Sequence, residues 1–245
     1  MKKLNTIFKI CFLLAALSCS KGDYEALSTE SGSGGSMACF TVMGDYLYTV
    51  DLNTLKVFDI HQPSQPALIG SKYLGFNIET LFSNGENLFA GSSTGVYIID
   101  VTNPSSPVIM SQYQHVQSCD PVIADTDYAY VTLNTSQTFC GNTVNELQVL
   151  NISNVSSPYL LKRYSMSAPM GLGKNDSVLF VCDGGIKVFN CNDPLNLFLM
   201  NNYYNFYATD LIVNDSVLIT TGTEGLKQYL INGYDLSLLS SINVK

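Results

Sequence analysis

Three carboxylates stand where they could do chemistry: Glu79, Asp120 and Asp210. Each falls in a segment that feeds the first strand of a repeated unit, and the three come from units two, three and five. Paired acids held at a defined separation, one with a raised pKa, are the equipment of glycoside hydrolysis. The same acids around a channel would also suit a cation or a polar ligand. The reading the residues favour is plainer: carboxylates bonding backbone amides at strand entrances, or facing solvent. The remaining chemistry is thin. His61 and His115 are the only histidines, and no Gly-x-Ser-x-Gly elbow accompanies them. Gly171-Leu172-Gly173-Lys174 lacks the spacing of a phosphate loop. No two cysteines stand in Cys-x-x-Cys spacing, so a zinc site has no ligand set. No catalytic residue, metal or cofactor is assigned.

Aromatic residues occupy the same feeding segments. Phe40, Phe76, Phe206 and Tyr207 join Glu79, His115, Asp120 and Asp210 in one candidate binding face. Loop aromatics on a rigid scaffold are common anchors for proteins or sugars. Their competing use is to pack against one another across a channel.

The elements that must position these residues repeat. Val57-Phe58-Asp59-Ile60 recurs as Ile98-Ile99-Asp100-Val101, Val149-Leu150-Asn151-Ile152 and Val188-Phe189-Asn190-Cys191, then degenerates to Gln228-Tyr229-Leu230-Ile231; the third positions lie 41, 51, 39 and 40 residues apart. Pro66, Pro107 and Pro158 stand seven residues after Asp59, Asp100 and Asn151. Upstream, an acid opens a second strand in every unit: Asp45, Glu86, Asp127, Asp176 and Asp215. Periods of about 40 residues mean a stacked or radial array. Within a unit the alternation is that of strands, with Gly/Asn/Asp turns between them. The Asp or Asn closing strand three is placed to accept from amides just beyond it and open a tight turn. Four antiparallel strands, five times over, predict an all-β fold: a β-propeller of five four-stranded blades of about 40 residues.

Charge narrows the partners. The chain has 245 residues and a formal charge of −8, which becomes −11 if Lys2, Lys3 and Lys9 are removed with a leader that holds no acid. That surface argues against nucleic acid and against attraction to anionic lipid. The leader is 1–18: a charged start, then the apolar run Ile10 to Leu17. Eight helical residues cover about 12 Å, far short of a ~30 Å hydrocarbon core, so the run reads as an export signal. Leu17-Ser18-Cys19 resembles the lipobox of bacterial lipoproteins, with Ala16 in place of the common Leu. That resemblance implies lipidation of Cys19 and a place in the cell envelope, anchored to the outer membrane on its periplasmic face or at the surface. Residues 19–36 have the Gly/Ser/Glu composition of a flexible tether, and 37–245 form the propeller.

The repeat pattern, an Ile-Ile-Asp-Val core followed by Asn-Pro-x-x-Pro and an apolar strand, resembles the LVIVD repeat proteins over about 37–245. The likeness is strongest in the first four units, and the fifth has lost its Asp and Pro. The resemblance implies a β-propeller and an exported location, and it brings no reaction with it.

Five cysteines follow Cys19. Unit three carries an insertion, Thr135 to Glu146, that contains Cys140, and Cys119 stands just before that unit's first strand. Both fall on one face of an up-and-down blade, so a Cys119–Cys140 disulfide is expected, with ~3 kcal/mol of stabilisation on the chain-entropy model. Cys182 and Cys191 fall on opposite faces and read as packing thiols. The whole predicts a non-catalytic binding or scaffolding module, a single-copy domain. Its partner would be an envelope protein or a glycan, with the membrane touched only through the lipid. The alternative is a carbohydrate-active or cation-dependent hydrolase using the channel-mouth acids.

Overall fold

Strand-length apolar runs separated by two-residue turns produce a chain built of hairpins. The computed structural model describes residues 35–75, 77–116, 121–135 and 144–244. Cys19, Phe76, Cys119, Asp120 and Cys140 lie outside the described residues, and the lipidation, disulfide and site expectations attached to them lie there too.

Five antiparallel sheets of four consecutive strands follow one another. Blade 1 holds β1 (Phe40–Met43), β2 (Tyr46–Asp51), β3 (Thr54–Asp59) and β4 (Ala67–Tyr73). Blade 2 holds β5 (Ile78–Asn84), β6 (Asn87–Ser92), β7 (Gly95–Asp100) and β8 (Val108–Gln114). Blade 3 holds β9 (Val122–Ala124), β10 (Tyr128–Asn134), β11 (Asn145–Asn151) and β12 (Tyr159–Ser165). Blade 4 holds β13 (Pro169–Asn175), β14 (Val178–Asp183), β15 (Ile186–Asn190) and β16 (Phe198–Tyr203), and blade 5 holds β17 (Ala208–Asn214), β18 (Val217–Gly222), β19 (Gly225–Asn232) and β20 (Asp235–Asn243). Among the described residues no strand is exchanged between the first blade and the last. Among the described residues no helix is long and apolar enough to cross a membrane.

The turn after strand three forms as its residue types dictate. Asp59 Oδ1 accepts from His61 N (2.8 Å), Asp100 from Thr102 N (2.8 Å), Asn151 from Ser153 N (3.2 Å) and Asn190 from Asn192 N (3.0 Å). Just before it, every blade carries a β-bulge between strands three and four, at Val57/Phe58, Ile98/Ile99, Val149/Leu150, Val188/Phe189 and Gln228/Tyr229. The extra residue sharpens the local twist, and its repetition gives the blades a common shape.

Blades stack face to face through four apolar clusters, joining blades 1 and 2, 2 and 3, 3 and 4, and 4 and 5. Tyrosines at the end of strand four brace three of these contacts. Tyr113 Oη donates to Gln148 Oε1 (2.9 Å); Tyr164 Oη donates to Pro194 O (2.8 Å) and accepts from Leu197 N (3.0 Å); Tyr203 Oη accepts from Leu236 N (2.8 Å). Cys182 and Cys191 are buried in different clusters, as their register predicts.

The seam between blades 5 and 1 is different. Among the described residues no apolar cluster and no side-chain brace of this kind spans it. The pair Leu88/Ile99 and its counterparts Ala129/Leu150, Leu179/Phe189 and Leu218/Tyr229 are at most 9% exposed, whereas Leu47/Phe58 of blade 1 is only half-buried. On the opposite side, Tyr48/Val57, Phe89/Ile98, Tyr130/Val149 and Phe180/Val188 are buried, and their blade 5 counterpart Ile219/Gln228 is only half-buried.

Candidate functional site

The five first strands surround a channel of ≈ 310 Å³, walled by residues such as Thr41, Leu81, Ile123, Leu172 and Leu211, one from each blade. The face on which these strands begin is called the upper face here, and the face on which they end the lower.

Residues expected to belong to the tether contribute to the upper end. Gly35 and Ser36 are buried, so the folded part starts earlier than residue 37. Ser36 Oγ donates to Asp210 Oδ1 (3.1 Å) and accepts from Leu172 N (2.7 Å), linking the chain's entrance to blades 5 and 4. Burial pushes the Asp210 carboxyl above the usual range, against opposing hydrogen bonds from Leu211 N, the Ser36 hydroxyl and Met37 N. A side chain at Gly171 would collide with Asp210, which explains the glycine at that point of β13. Asp210 is therefore a ring latch, its lone pairs spent on the protein's own donors.

Glu79 does not share its register. It is the bulged residue of β5, between the pairs Ile78↔Ser92 and Thr80↔Gly91, and its counterpart in the blade 5 bulge is Thr209. Asp210 instead corresponds to Thr80. A one-residue offset turns strand side chains to different faces, so these two acids are not repeats of one site. The Cys39 thiol donates to the Glu79 carbonyl at 3.2 Å. His115 places Nδ1 2.6 Å from Val116 O, with its ring centroid 6.1 Å from that of Tyr113. It borders a groove whose polar residues the sequence did not single out: Gln148 Nε2 donates to Glu146 Oε1 (2.7 Å), and Arg163 Nε sits 3.2 Å from the same oxygen. Among the described residues no three His, Cys, Asp or Glu side chains are grouped to hold a metal.

The aromatic candidates divide. Phe40 and Tyr207 are exposed (54% and 44%), but Phe206 is 2% exposed and packs in the blade 4–5 cluster beneath Lys227 Nζ, 4.3 Å from its ring centroid. Phe206 is thus a core residue, not an anchor, because it points inward between two blades while its neighbour Tyr207 points out. Two exposed residues on this face went unread in the sequence, Leu52 and Tyr204, each 71% exposed. Leu52 sits in the β2–β3 turn at φ 52°, a left-handed conformation unfavourable for a branched side chain; Gly184, at φ 69°, takes that conformation in the matching turn of blade 4.

At the lower end, Lys174 Nζ pairs with Asp125 Oδ2 at 3.1 Å, and Asp125 Oδ1 accepts from Asp127 N and Tyr128 N. The acids that opened strand two in sequence are not equivalent here. Asp176 and Asp215 occupy the left-handed turn position held by Gly44 and Gly85 (φ 48°, 51°, 56° and 58°), one residue before the place of Asp45 and Glu86.

Consecutive four-stranded sheets around a central channel define a β-propeller. The LVIVD repeat matches residues 34–73, 88–115 and 120–166, in the first three blades, and the chain belongs to the LVIVD repeat family. Solved structures share the fold. A Lactobacillus plantarum protein is 12% identical, with a TM-score of 0.64 over 80% of this chain and 67% of that one. The Pseudomonas aeruginosa periplasmic gluconolactonase PpgL is 14% identical, with a TM-score of 0.62 over 82% and 68%. A putative 6-phosphogluconolactonase from Bacteroides uniformis is 12% identical, with a TM-score of 0.60 over 80% and 67%. At these identities the likeness is one of fold. No curated protein matches the chain in sequence.

Proposed function

We propose that the chain is a non-catalytic binding module of the bacterial cell envelope. It is held there by a lipid on Cys19, and its upper face docks an envelope protein or glycan. Leu52 carries this reading. The Leu52 carbonyl accepts from Ile78 N at 2.7 Å, while its side chain, at positive φ, is 71% exposed, and strain kept at an exposed turn supports a functional surface there. Phe40, Tyr204 and Tyr207 extend the same face with exposed aromatic area. A hydrolase using Glu79 and Asp210 has less support, because Asp210 is engaged as a latch and the two acids differ in register.

The test is co-purification of the detergent-solubilised full chain from envelope membranes, wild type against Leu52→Gly. Glycine relieves a left-handed leucine by ~1 kcal/mol, so the variant should melt at or above the wild-type temperature. A stoichiometric protein or glycan that accompanies the wild type and is lost with Leu52→Gly is the expected result. A wild-type chain recovered alone, or a partner that the variant retains, overturns the assignment to this face.

A further inference from the structure

The geometry points to the groove beside Arg163 as a binding site for a uronic acid residue of an acidic glycan. This rests on the chain being a binding module, names the ligand class for one part of the upper face, and does not depend on Leu52. Arg163 is the only arginine among the 245 residues, and it stands in a groove of ≈ 480 Å³ with Tyr113, Gln114, His115, Glu146 and Gln148. That is the size of a small-molecule site. Register shows that the place of this arginine is particular to blade 3. At the strand-three position of Gln148, blades 1, 4 and 5 put Lys56, Lys187 and Lys227, each held by an acid of its own blade at 2.9, 2.6 and 3.3 Å. In blade 3 that lysine is gone. The cation stands one strand further out, opposite Gln148 on β12, where the other blades have Ser71, Gln112, Asn202 and Ser241.

The guanidinium is fixed through one of its nitrogens. Tyr113 Oη donates to Gln148 Oε1, Gln148 Nε2 donates to Glu146 Oε1, and Arg163 Nε lies 3.2 Å from that same oxygen. Gln148 is 2% exposed and the Glu146 side chain 16%, so these bonds are anchored within the blade, whereas the Arg163 side chain is 59% exposed. Among the described residues its two terminal nitrogens have no partner. They are a fork that takes a carboxylate through two parallel bonds. Glu146 and a chain charge of −8 disfavour a phosphate dianion, so the matching anion carries a single charge. The other polar side chains of the groove are the hydroxyl of Tyr113, the amides of Gln114 and Gln148 and the imidazole of His115, groups that suit a ring of hydroxyls. A carboxylate on an otherwise neutral sugar ring meets both conditions.

The experiment is saturation-transfer difference NMR on the detergent-solubilised full chain, titrated with glucuronate and galacturonate beside glucose, galactose and N-acetyl-dialanine. At least one uronate should bind about tenfold or more tightly than its neutral counterpart, and its binding should weaken as salt is raised. Arg163→Lys keeps the charge and loses the fork, so it should bind about fivefold or more weakly, and Arg163→Gln should show no measurable binding. Lys162→Gln removes a neighbouring charge from the opposite side of β12 and should bind as the wild type does. Both side chains are exposed, so all three variants should melt with the wild type. Four results overturn the inference. One is a wild type that takes up neither uronate at tens of millimolar. The second is an equal response to a uronate and its neutral counterpart. The third is N-acetyl-dialanine bound as tightly as a uronate, which would make the anion a peptide terminus. The fourth is full uronate binding by both Arg163 variants. A chain that binds uronate but co-purifies with no envelope partner would uphold the groove and fell the docking reading alone; a partner recovered by a chain that binds no uronate would do the reverse.

Discussion

Tyr164→Phe isolates the brace between blades 3 and 4. The hydroxyl donates to Pro194 O and accepts from Leu197 N, so its removal deletes two hydrogen bonds and leaves both backbone partners behind. Pro194 is buried and Leu197 half-buried, so water can reach one orphaned group more easily than the other. A net bond contributes about 1 kcal/mol, and an orphaned buried group costs about 1–3 kcal/mol. Partial rehydration places the sum near 2 kcal/mol. In a domain of this size that lowers Tm by roughly 4–8 °C. Burial also raises the phenol pKa, consistent with a neutral hydroxyl serving as donor. The assay is thermal unfolding followed by far-UV circular dichroism, with Tyr203→Phe and Tyr73→Phe alongside. Tyr203 makes one such bond and should lose about half as much; Tyr73, 59% exposed, should lose nothing measurable. Equal shifts for Tyr164→Phe and Tyr73→Phe would refute the assignment of inter-blade bracing to these hydroxyls.

Two further outcomes follow from buried polar groups. Asp183, 2% exposed, accepts from Ala168 N (2.6 Å) and Ser167 N and pairs with Lys187 Nζ at 2.6 Å. Burial raises its pKa, but these partners outweigh burial and hold it below the usual value. Its stabilisation is therefore present above a pH of about 4 and lost as pH falls through the lower folded value. Asp183→Asn should cost roughly 3 kcal/mol at neutral pH and flatten the acid limb of Tm against pH; an unchanged acid limb would contradict this. Tyr130 buries a hydroxyl with no nitrogen or oxygen partner, so Tyr130→Phe should be neutral or stabilising by up to about 1 kcal/mol, and a clear loss in urea unfolding would show that the nearby Cys191 thiol bonds it.

Local chemistry was the most legible part of the sequence. The five units, their strands and the Asp/Asn turn after strand three all rest on alternation and on bonds spanning two residues, and each appears at its expected place. Register was harder to read. The bulge falls inside runs such as Val57-Phe58 and Ile98-Ile99, apolar on both sides, where an offset of one leaves no mark in residue type. That offset on strand one is why Glu79 and Asp210 looked like members of one acid set. Phe206 and Tyr207 show the same limit, since two adjacent aromatics give no sign of which is turned inward. The seam did leave a trace, in Gln228 where other units have Val or Ile and in Ile242 where units two to four have Tyr. Those substitutions read as decay of a repeat until the half-buried faces supplied their context. Ser36 gave no signal, because a serine at the end of a Gly/Ser stretch resembles its neighbours.

The unexchanged blades also fix an order of assembly. Every sheet is complete once its own stretch of about 40 residues has emerged, so a chain delivered from its N-terminus can form blades one after another without waiting for its end. The latch is the exception. Ser36 and Asp210 are 174 residues apart, and their bond cannot form until β17 has been made. The amino end of the domain is thus the first part delivered and is secured late, so the latch reports that the chain has reached the first strand of its fifth blade.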